Sequence, residues 1–343
     1  MEPLAQEAEV AQSSLLSDEP ESGAAAPGSR TPAGGKGKSP TRIALGRLRK
    51  DRTAMICLGI LAFFVLIAVF APLLAKLEGQ NTTTLHMNQI DDFGYPTIGP
   101  DSQHWFGIEP RLGRDLFARW VYGARPSLIV ASLATVISTL IGIVIGLVSG
   151  FTGGWLDRVL SWVVDLVLSL PYLLFAIAVP AVILTVFVGN KEGVGAETTA
   201  QVRFYALIFV LSFLGWANLA RLIRGEVLSL REREFIQAAR VIGVPTRKVL
   251  FKELLPNLVA PIVISTSLAL PTFIVNEAAL TVLGVGLTEP TPSWGVTISA
   301  ATNYYRADPL YLWLPVAGIT ILVLALALLG DSIRDAFDPR TRR

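Results

Sequence analysis

Residues 231–257 read REREFIQAARVIGVPTRKVLFKELLPN, a polar and basic stretch set between two runs too apolar for a soluble protein. A chain that is apolar on both sides of such a stretch must leave a membrane and re-enter it, which makes the fold class all-α and polytopic. The first half has a helical face, because Phe235, Ala238, Ala239 and Ile242 fall at i, i+3, i+4 and i+7, with Glu234, Gln237, Arg240 and Val241 around the other sides. Two adjacent alanines let another protein surface approach the backbone, Phe235 and Ile242 fill shallow pockets, and the flanking charges set orientation. Gly243 interrupts the helix, Pro245 suits the first turn of a second one, and Pro256 ends that one by pushing Leu255 out of the helical region. The stretch reads as a docking element. A helix lying on lipid would carry bulkier apolar anchors than two alanines.

The 343 residues are 52% hydrophobic and 16% charged, the proportions of a multi-span membrane protein. The single cysteine, Cys57, lies in an apolar run, which excludes an internal disulfide and a cysteine metal cluster. His86 and His104 stand apart in sequence and read as polar loop residues, so no metal site is expected. Residues 1–41, rich in Ala, Gly, Ser, Pro and Glu without apolar periodicity, are expected to be a disordered tail, and not a signal peptide, because the first apolar run begins only after residue 52. Its GGKGKS, residues 34–39, is no phosphate-binding loop: Pro32 stands where the first glycine is required, and no strand precedes it.

Six spans are expected, at residues 53–75, 126–156, 159–188, 204–220, 254–283 and 309–330. The fourth is short, with Arg203 and Arg221 placed to snorkel at its ends. Placing the N-terminus inside puts 21 of the 29 Lys and Arg residues on the cytoplasmic side, together with both tails and the loop at 221–257. The layout is therefore a tail (1–41), a basic segment with the first span (42–75), an extracytoplasmic segment (76–125), a five-helix core (126–330) and a second cytoplasmic tail (331–343).

In the extracytoplasmic segment, Asp115 is placed to cap a short surface helix running to Tyr122, with Trp105 and Trp120 as interfacial anchors. Gly150, Gly153 and Gly154 suit a tight turn, and Pro171 and Pro180 can bend the third span. Two carboxylates fall within apolar stretches. A charged carboxylate at mid-membrane costs about 2.5–3.5 kcal/mol on insertion scales, so each must face water, a partner or the bundle interior. Asp165 reads either as part of a translocation path or as a partner of Arg158; Glu277 reads either as part of that path or as a helix-packing group.

Gln237-Ala238-Ala239, Gly243 six residues after Gln237, and Glu253-Leu254-Leu255-Pro256 resemble the EAA loop of bacterial ATP-binding-cassette (ABC) importer permeases, with Gln237 where glutamate is usual. Residues 104–125, 146–178 and 276–295, the last ending Pro-Thr-Pro-Ser-Trp-Gly, resemble the second permease subunit of the oligopeptide, dipeptide and nickel branch. The resemblance implies a type I ABC importer permease fold with six transmembrane helices in a prokaryotic cell membrane. It also implies a coupling helix seated on a cytoplasmic ATPase through Glu234, Phe235, Gln237, Ala238, Ala239, Arg240, Gly243 and Pro256. The implied partners are a homologous second permease, two ABC ATPase subunits or domains that bind ATP-Mg, and an extracytoplasmic substrate-binding protein. No cofactor, metal or catalytic residue is implied for this chain, and the implied cargo is a di- or oligopeptide, or a nickel chelate.

A stand-alone ion-coupled transporter is the other class open to such a sequence. It calls for several intramembrane ionisable groups or two related halves. The sequence offers Asp165 and Glu277 and no convincing repeat. An intramembrane enzyme would need a nucleophile with its base, a carboxylate pair or metal ligands at one depth, and the spans hold no such cluster.

Overall fold

The computed structural model describes residues 40–189 and 193–338, so the expected tail at 1–41 lies almost wholly outside the described residues. A short helix α1 (Pro40–Leu48) leads into α2 (Arg52–Glu78), which starts on the Asp51 carboxylate and stops at Gly79 in the left-handed conformation. An irregular segment follows, with one 3-10 turn at Met87–Gln89. Asp115 then caps α3 (Leu116–Thr152) by accepting from the Ala118 N–H at 2.6 Å. The cap falls where the sequence places it. The short surface helix does not exist on its own: it continues through Tyr122 and Pro126 into the second span as one 37-residue helix.

The third apolar run differs more. It forms α4 (Gly154–Ser169) and α5 (Tyr172–Phe187), whose axes meet at 92°. The cause is local, because proline disfavours the helical region for the residue before it and Leu170 is extended (φ −66°, ψ 135°). Pro180, by contrast, sits inside α5 without ending it. Next come α6 (Ala196–Arg231), α7 (Glu234–Val241), and three abutting helical turns that we call α8: Thr246–Lys248, the π-helical Val249–Leu254, and Leu255–Asn257. The chain re-enters the bundle as α9 (Val259–Val282), turns through α10 (Trp294–Ala301) and closes with α11 (Pro309–Phe337). Helices α2, α3, α6, α9 and α11 are each long and apolar enough to cross a membrane, and the bent pair α4–α5 makes a sixth span if counted as one. At 36 residues α6 is about 54 Å long, so residues 204–220 are only its apolar middle.

The centre of the bundle is the α3–α6 pair. Gly142, Gly146 and Gly150, four residues apart, present a bare ridge to α6. A Cβ on Gly146 would lie 2.7 Å from the Ala220 carbonyl and the Ile223 Cβ, so the two backbones touch as only small residues permit. Gly150 thus belongs to this ridge, and only Gly153 and Gly154, at φ 65° and 67°, make the turn. Further along, Val130, Ala131 and Ala134 of α3 meet Leu207, Val210 and Leu211 of α6, with Ile274 of α9 and Leu322 of α11 completing the core.

At the end where α3 begins, aromatic rings weld the helices together. Trp120 donates to the Leu314 carbonyl at 3.1 Å and Trp294 to the Trp120 carbonyl at 2.9 Å, while Phe106 packs edge-on to Trp120. Trp120 is therefore a core residue, while Trp105 stays half exposed against Phe117. Beside them lies a buried ionic cluster. Arg119, 2% exposed, pairs with Glu109 at 3.2 Å and Glu289 at 2.6 Å; Arg114 pairs with the same two carboxylates; and the Tyr311 hydroxyl donates to Glu109 at 3.1 Å. His86 and His104, distant in sequence, meet with ring centroids 4.6 Å apart, and His104 lies 2.8 Å from the Asp115 carboxylate that caps α3. At the opposite end, Arg47 of α1 donates to the carbonyls of Ala336 and Asp338, at 3.2 and 3.1 Å, and so caps α11.

Candidate functional site

Helix α7 hangs from the end of α6 by a two-residue corner. Arg233, in the extended region, precedes it, and Glu234 in its first turn suits the positive end of the helix dipole. Its termination follows a recognisable chemistry. Gly243 at φ 80° lets its own N–H donate to the Arg240 carbonyl and the Val244 N–H donate to the Ala239 carbonyl, both at 3.0 Å, the paired bonds of a Schellman stop.

The helix is mounted on one face only. Ile236 is fully buried and Ala239 half buried in a cluster formed by Leu147 of α3, Leu219, Ile223 and Val227 of α6, Val249 and Leu254 of α8, and Leu258. The outward side keeps Glu234, Phe235, Gln237, Ala238 and Arg240 exposed, with Val241 and Ile242 at 88% and 80%. Ala239 therefore turns towards the mount, whereas its i, i+4 spacing from Phe235 suggested a shared outer face. The reason is Ile236: burying it in the cluster turns Ala239, three residues on, to the same side. Pro256 lies exposed at the last turn of α8. The Arg240 guanidinium lies over the Phe151 ring of α3 at 4.6 Å, and Arg231 donates to the Gly150 carbonyl at 3.3 Å.

The two intramembrane carboxylates are placed differently from each other. Asp165 on α4 accepts from the Arg221 guanidinium at 2.6 Å, with the side chains 66% and 58% exposed, so its partner is on α6 and not Arg158. Asp157 is held similarly, in a two-pronged bond from Arg224 at 2.6 and 2.9 Å. Glu277 is 0% exposed. It accepts from the Thr281 hydroxyl at 3.1 Å, which in turn accepts from the Leu287 N–H, pinning the loop after α9 to that helix. Arg203 reaches the carbonyls of Gly284 and Gly286 and does not turn outward to the lipid boundary.

Between α3, α5, α6 and α9 lies a cavity of about 650 Å³. Neither carboxylate lines it. Its polar groups are uncharged and include Thr139, Tyr172, Asn218, Thr266 and Asn276. Tyr172 and Asn276 fall within the stretches 146–178 and 276–295 that carry the resemblance, whereas Thr139, Asn218 and Thr266 lie outside every quoted stretch; a polar residue inside an apolar span is itself a signal, as it is for the carboxylates. Among the described residues no group of three or more His, Cys, Asp or Glu side chains is arranged to hold a metal ion.

Residues 142–343 match the family model for the binding-protein-dependent transport system inner membrane component, and residues 39–89 match that for the N-terminal TM domain of oligopeptide transport permease C. The chain is similar to the dipeptide transport system permease protein DppC of Alkalihalophilus pseudofirmus, 35% identical over 304 residues that cover 89% of this chain and 91% of the relative. It is 34% identical to the oligopeptide transport system permease protein OppC of Escherichia coli, over 90% of this chain and 93% of that one. It is 36% identical to the glutathione transport system permease protein GsiD of Salmonella typhimurium, over 89% and 92%. A chain of the inward-facing MetNI methionine ABC transporter is similar at 20% identity with a TM-score of 0.49, over 64% of this chain and 96% of that one. Matched by that model over more than half its length, and by these relatives over nearly all of it, this multi-span membrane protein belongs to the family of binding-protein-dependent transport system inner membrane components.

Proposed function

We propose that this chain is a non-catalytic permease subunit of a peptide-importing ABC transporter, supplying half of the translocation path and taking its motion from a cytoplasmic ATPase seated on α7. The observation that carries the reading is the mount of α7. A helix whose inner face is locked to both long central helices, and whose outer face leaves Phe235, Ala238, Val241 and Ile242 bare, is built to receive a protein and pass a rigid-body push to α3 and α6. The names of the similar proteins support di- or oligopeptides as cargo.

The partners of this reading are a second, homologous permease, two ATPase subunits or domains that hold the ATP-Mg, and an extracytoplasmic binding protein. The contact of Arg47 with the end of α11 puts both ends of the described chain on one face, which supports an even number of crossings with α4–α5 as one. The excess of Lys and Arg makes that face cytoplasmic. Glu277 acts in this scheme as packing glue, and Asp165 with Arg221 as an exposed ion pair at the side of α6.

The test is uptake and ATP hydrolysis by the reconstituted complex. Ala238→Trp and Gly243→Pro are expected to insert normally yet hydrolyse ATP without matching uptake. Normal transport by both variants would remove the docking assignment, and transport by the purified chain alone without ATP would favour a secondary transporter.

A further inference from the structure

The cavity between α3, α5, α6 and α9 lies at the depth of the spans, where an unpaired polar group facing lipid is costly. Its walls nevertheless carry eight hydrogen-bonding side chains, and no carboxylate, ammonium or guanidinium group. The Thr139 and Thr266 hydroxyls share a hydrogen bond of 3.2 Å between α3 and α9, and Tyr172 of α5 lines the same cavity as Asn276 of α9. Asn218 is different. It is exposed on α6, and its carboxamide makes no hydrogen bond among the described residues. Leu222, one turn further along the same helix, lines the cavity beside it. A free carboxamide there has two donors and an acceptor to satisfy, and so faces water, a partner or a passing solute.

Resting on the importer reading above, we infer that this cavity is a transit site that holds a short peptide by its main chain, with Asn218 as the side chain that grips it. The chemistry selects this ligand class. A peptide backbone offers alternating N–H donors and C=O acceptors whatever its sequence, and the wall answers with amides and hydroxyls that can do either. An uncharged wall holds no fixed ion that would trap a cationic or anionic side chain, so cargo of any charge passes on equal terms. The volume falls within the range of about 300–1,000 Å³ typical of small-molecule sites. Because Thr139 and Thr266 already satisfy one another across the cavity, a peptide exchanges bonds with this pair at little net gain. Weak holding is what a site that must release its cargo needs.

The experiment uses the complete importer in proteoliposomes with its binding protein and ATP, and the labelled peptides Ala-Ala, Lys-Ala and Asp-Ala. Asn218→Leu complexes that assemble as wild type are expected to take up all three about fivefold more slowly, the effect of one lost hydrogen bond of about 1 kcal/mol. Asn276→Ala replaces this variant if assembly fails. A second readout is independent of rate: Cys57, the native cysteine of this chain, is buried, so thiol labelling of Asn218→Cys read on this chain after its separation from the other subunits reports position 218, and peptide with ATP and binding protein should slow the labelling. Wild-type uptake by Asn218→Leu and Asn276→Ala, labelling indifferent to peptide, or a loss confined to one of the charged peptides would overturn the inference while leaving the importer reading intact. If the wild-type complex takes up none of the three peptides, the cargo assignment falls and this inference falls with it.

Discussion

The Arg240 guanidinium rests 4.6 Å above the Phe151 ring, so a residue near the end of α3 holds the last turn of α7 from above while Ile236 holds its first turn from within. A cation over an aromatic face at a partly exposed site contributes about 0.5–1 kcal/mol. Phe151→Leu keeps apolar bulk and removes the ring. It is expected to weaken binding of the ATPase subunits to the permease pair in nanodiscs by about twofold to fivefold, measured as a dissociation constant.

The glycine ridge sets a sharper requirement. Gly146→Val places carbon where the Ala220 carbonyl and Ile223 already stand, and overpacking of this kind costs about 1–3 kcal/mol and sometimes more. The thermal midpoint of the detergent-solubilised chain should fall by several degrees. Gly225, also in α6, has no neighbour within 4 Å of an added Cβ. Gly225→Ala should hold the midpoint or raise it, because a helical glycine gives up about 0.5–1 kcal/mol relative to alanine. If both variants behave alike, the α3–α6 contact is not what the glycines are for.

Arg119→Leu tests the buried ionic cluster. It strands Glu109, 1% exposed, with one guanidinium in place of two, and breaking a buried pair from one side costs about 3–5 kcal/mol. Limited proteolysis should then cut between residues 79 and 115 much faster than in wild type. Unchanged cleavage would mean that Arg114 carries the cluster alone.

Acid acts on this same segment through His86. Burial lowers its pKa below 6.5 and the adjacent His104 lowers it further, against a smaller opposing pull from Asp115. Such a base takes up protons more readily when unfolded, so its contribution to stability is complete above 6.5 and is lost as pH falls towards the lowered value. Glu289 works in a different window. Burial raises its carboxyl, but Arg119 and Arg114 outweigh burial and hold it below 4.5, so its contribution persists until pH falls through that lowered value. The thermal midpoint should decline as pH falls below about 6.5, His86→Asn should flatten that decline, and Glu289→Gln should leave it in place.

Much of this architecture was legible in advance because apolar runs and lysine-arginine placement report directly on a membrane. Five long helices overlap the expected runs, all but α9 extending beyond them, and Gly243 ends α7 as its position suggests. The rest depended on contacts between distant parts of the chain. Pro171 announced a bend, but nothing local distinguishes a kink from a right-angle break. Asp165 had Arg158 seven residues away as an obvious partner, yet found Arg221 across the bundle. Helical spacing groups Ala239 with Phe235 but cannot say which side a mount will claim; the burial of Ile236 decides it. The ridge at Gly142, Gly146 and Gly150 is a period of four in the sequence, but glycines near a turn suggest the turn first.

The bonds from Arg47 to the carbonyls of Ala336 and Asp338 join residues 289 and 291 positions apart. Contacts this remote in sequence form late, because every intervening crossing must be in place before the two groups can meet. A ribosome releases Arg47 early and Ala336 near the end, so α1 waits through almost the whole of synthesis without the acceptors that it finally holds. The seam between first and last helices therefore serves as a completion mark: a chain arrested or cleaved before α11 lacks it, and leaves a bare arginine where a finished bundle shows a capped helix.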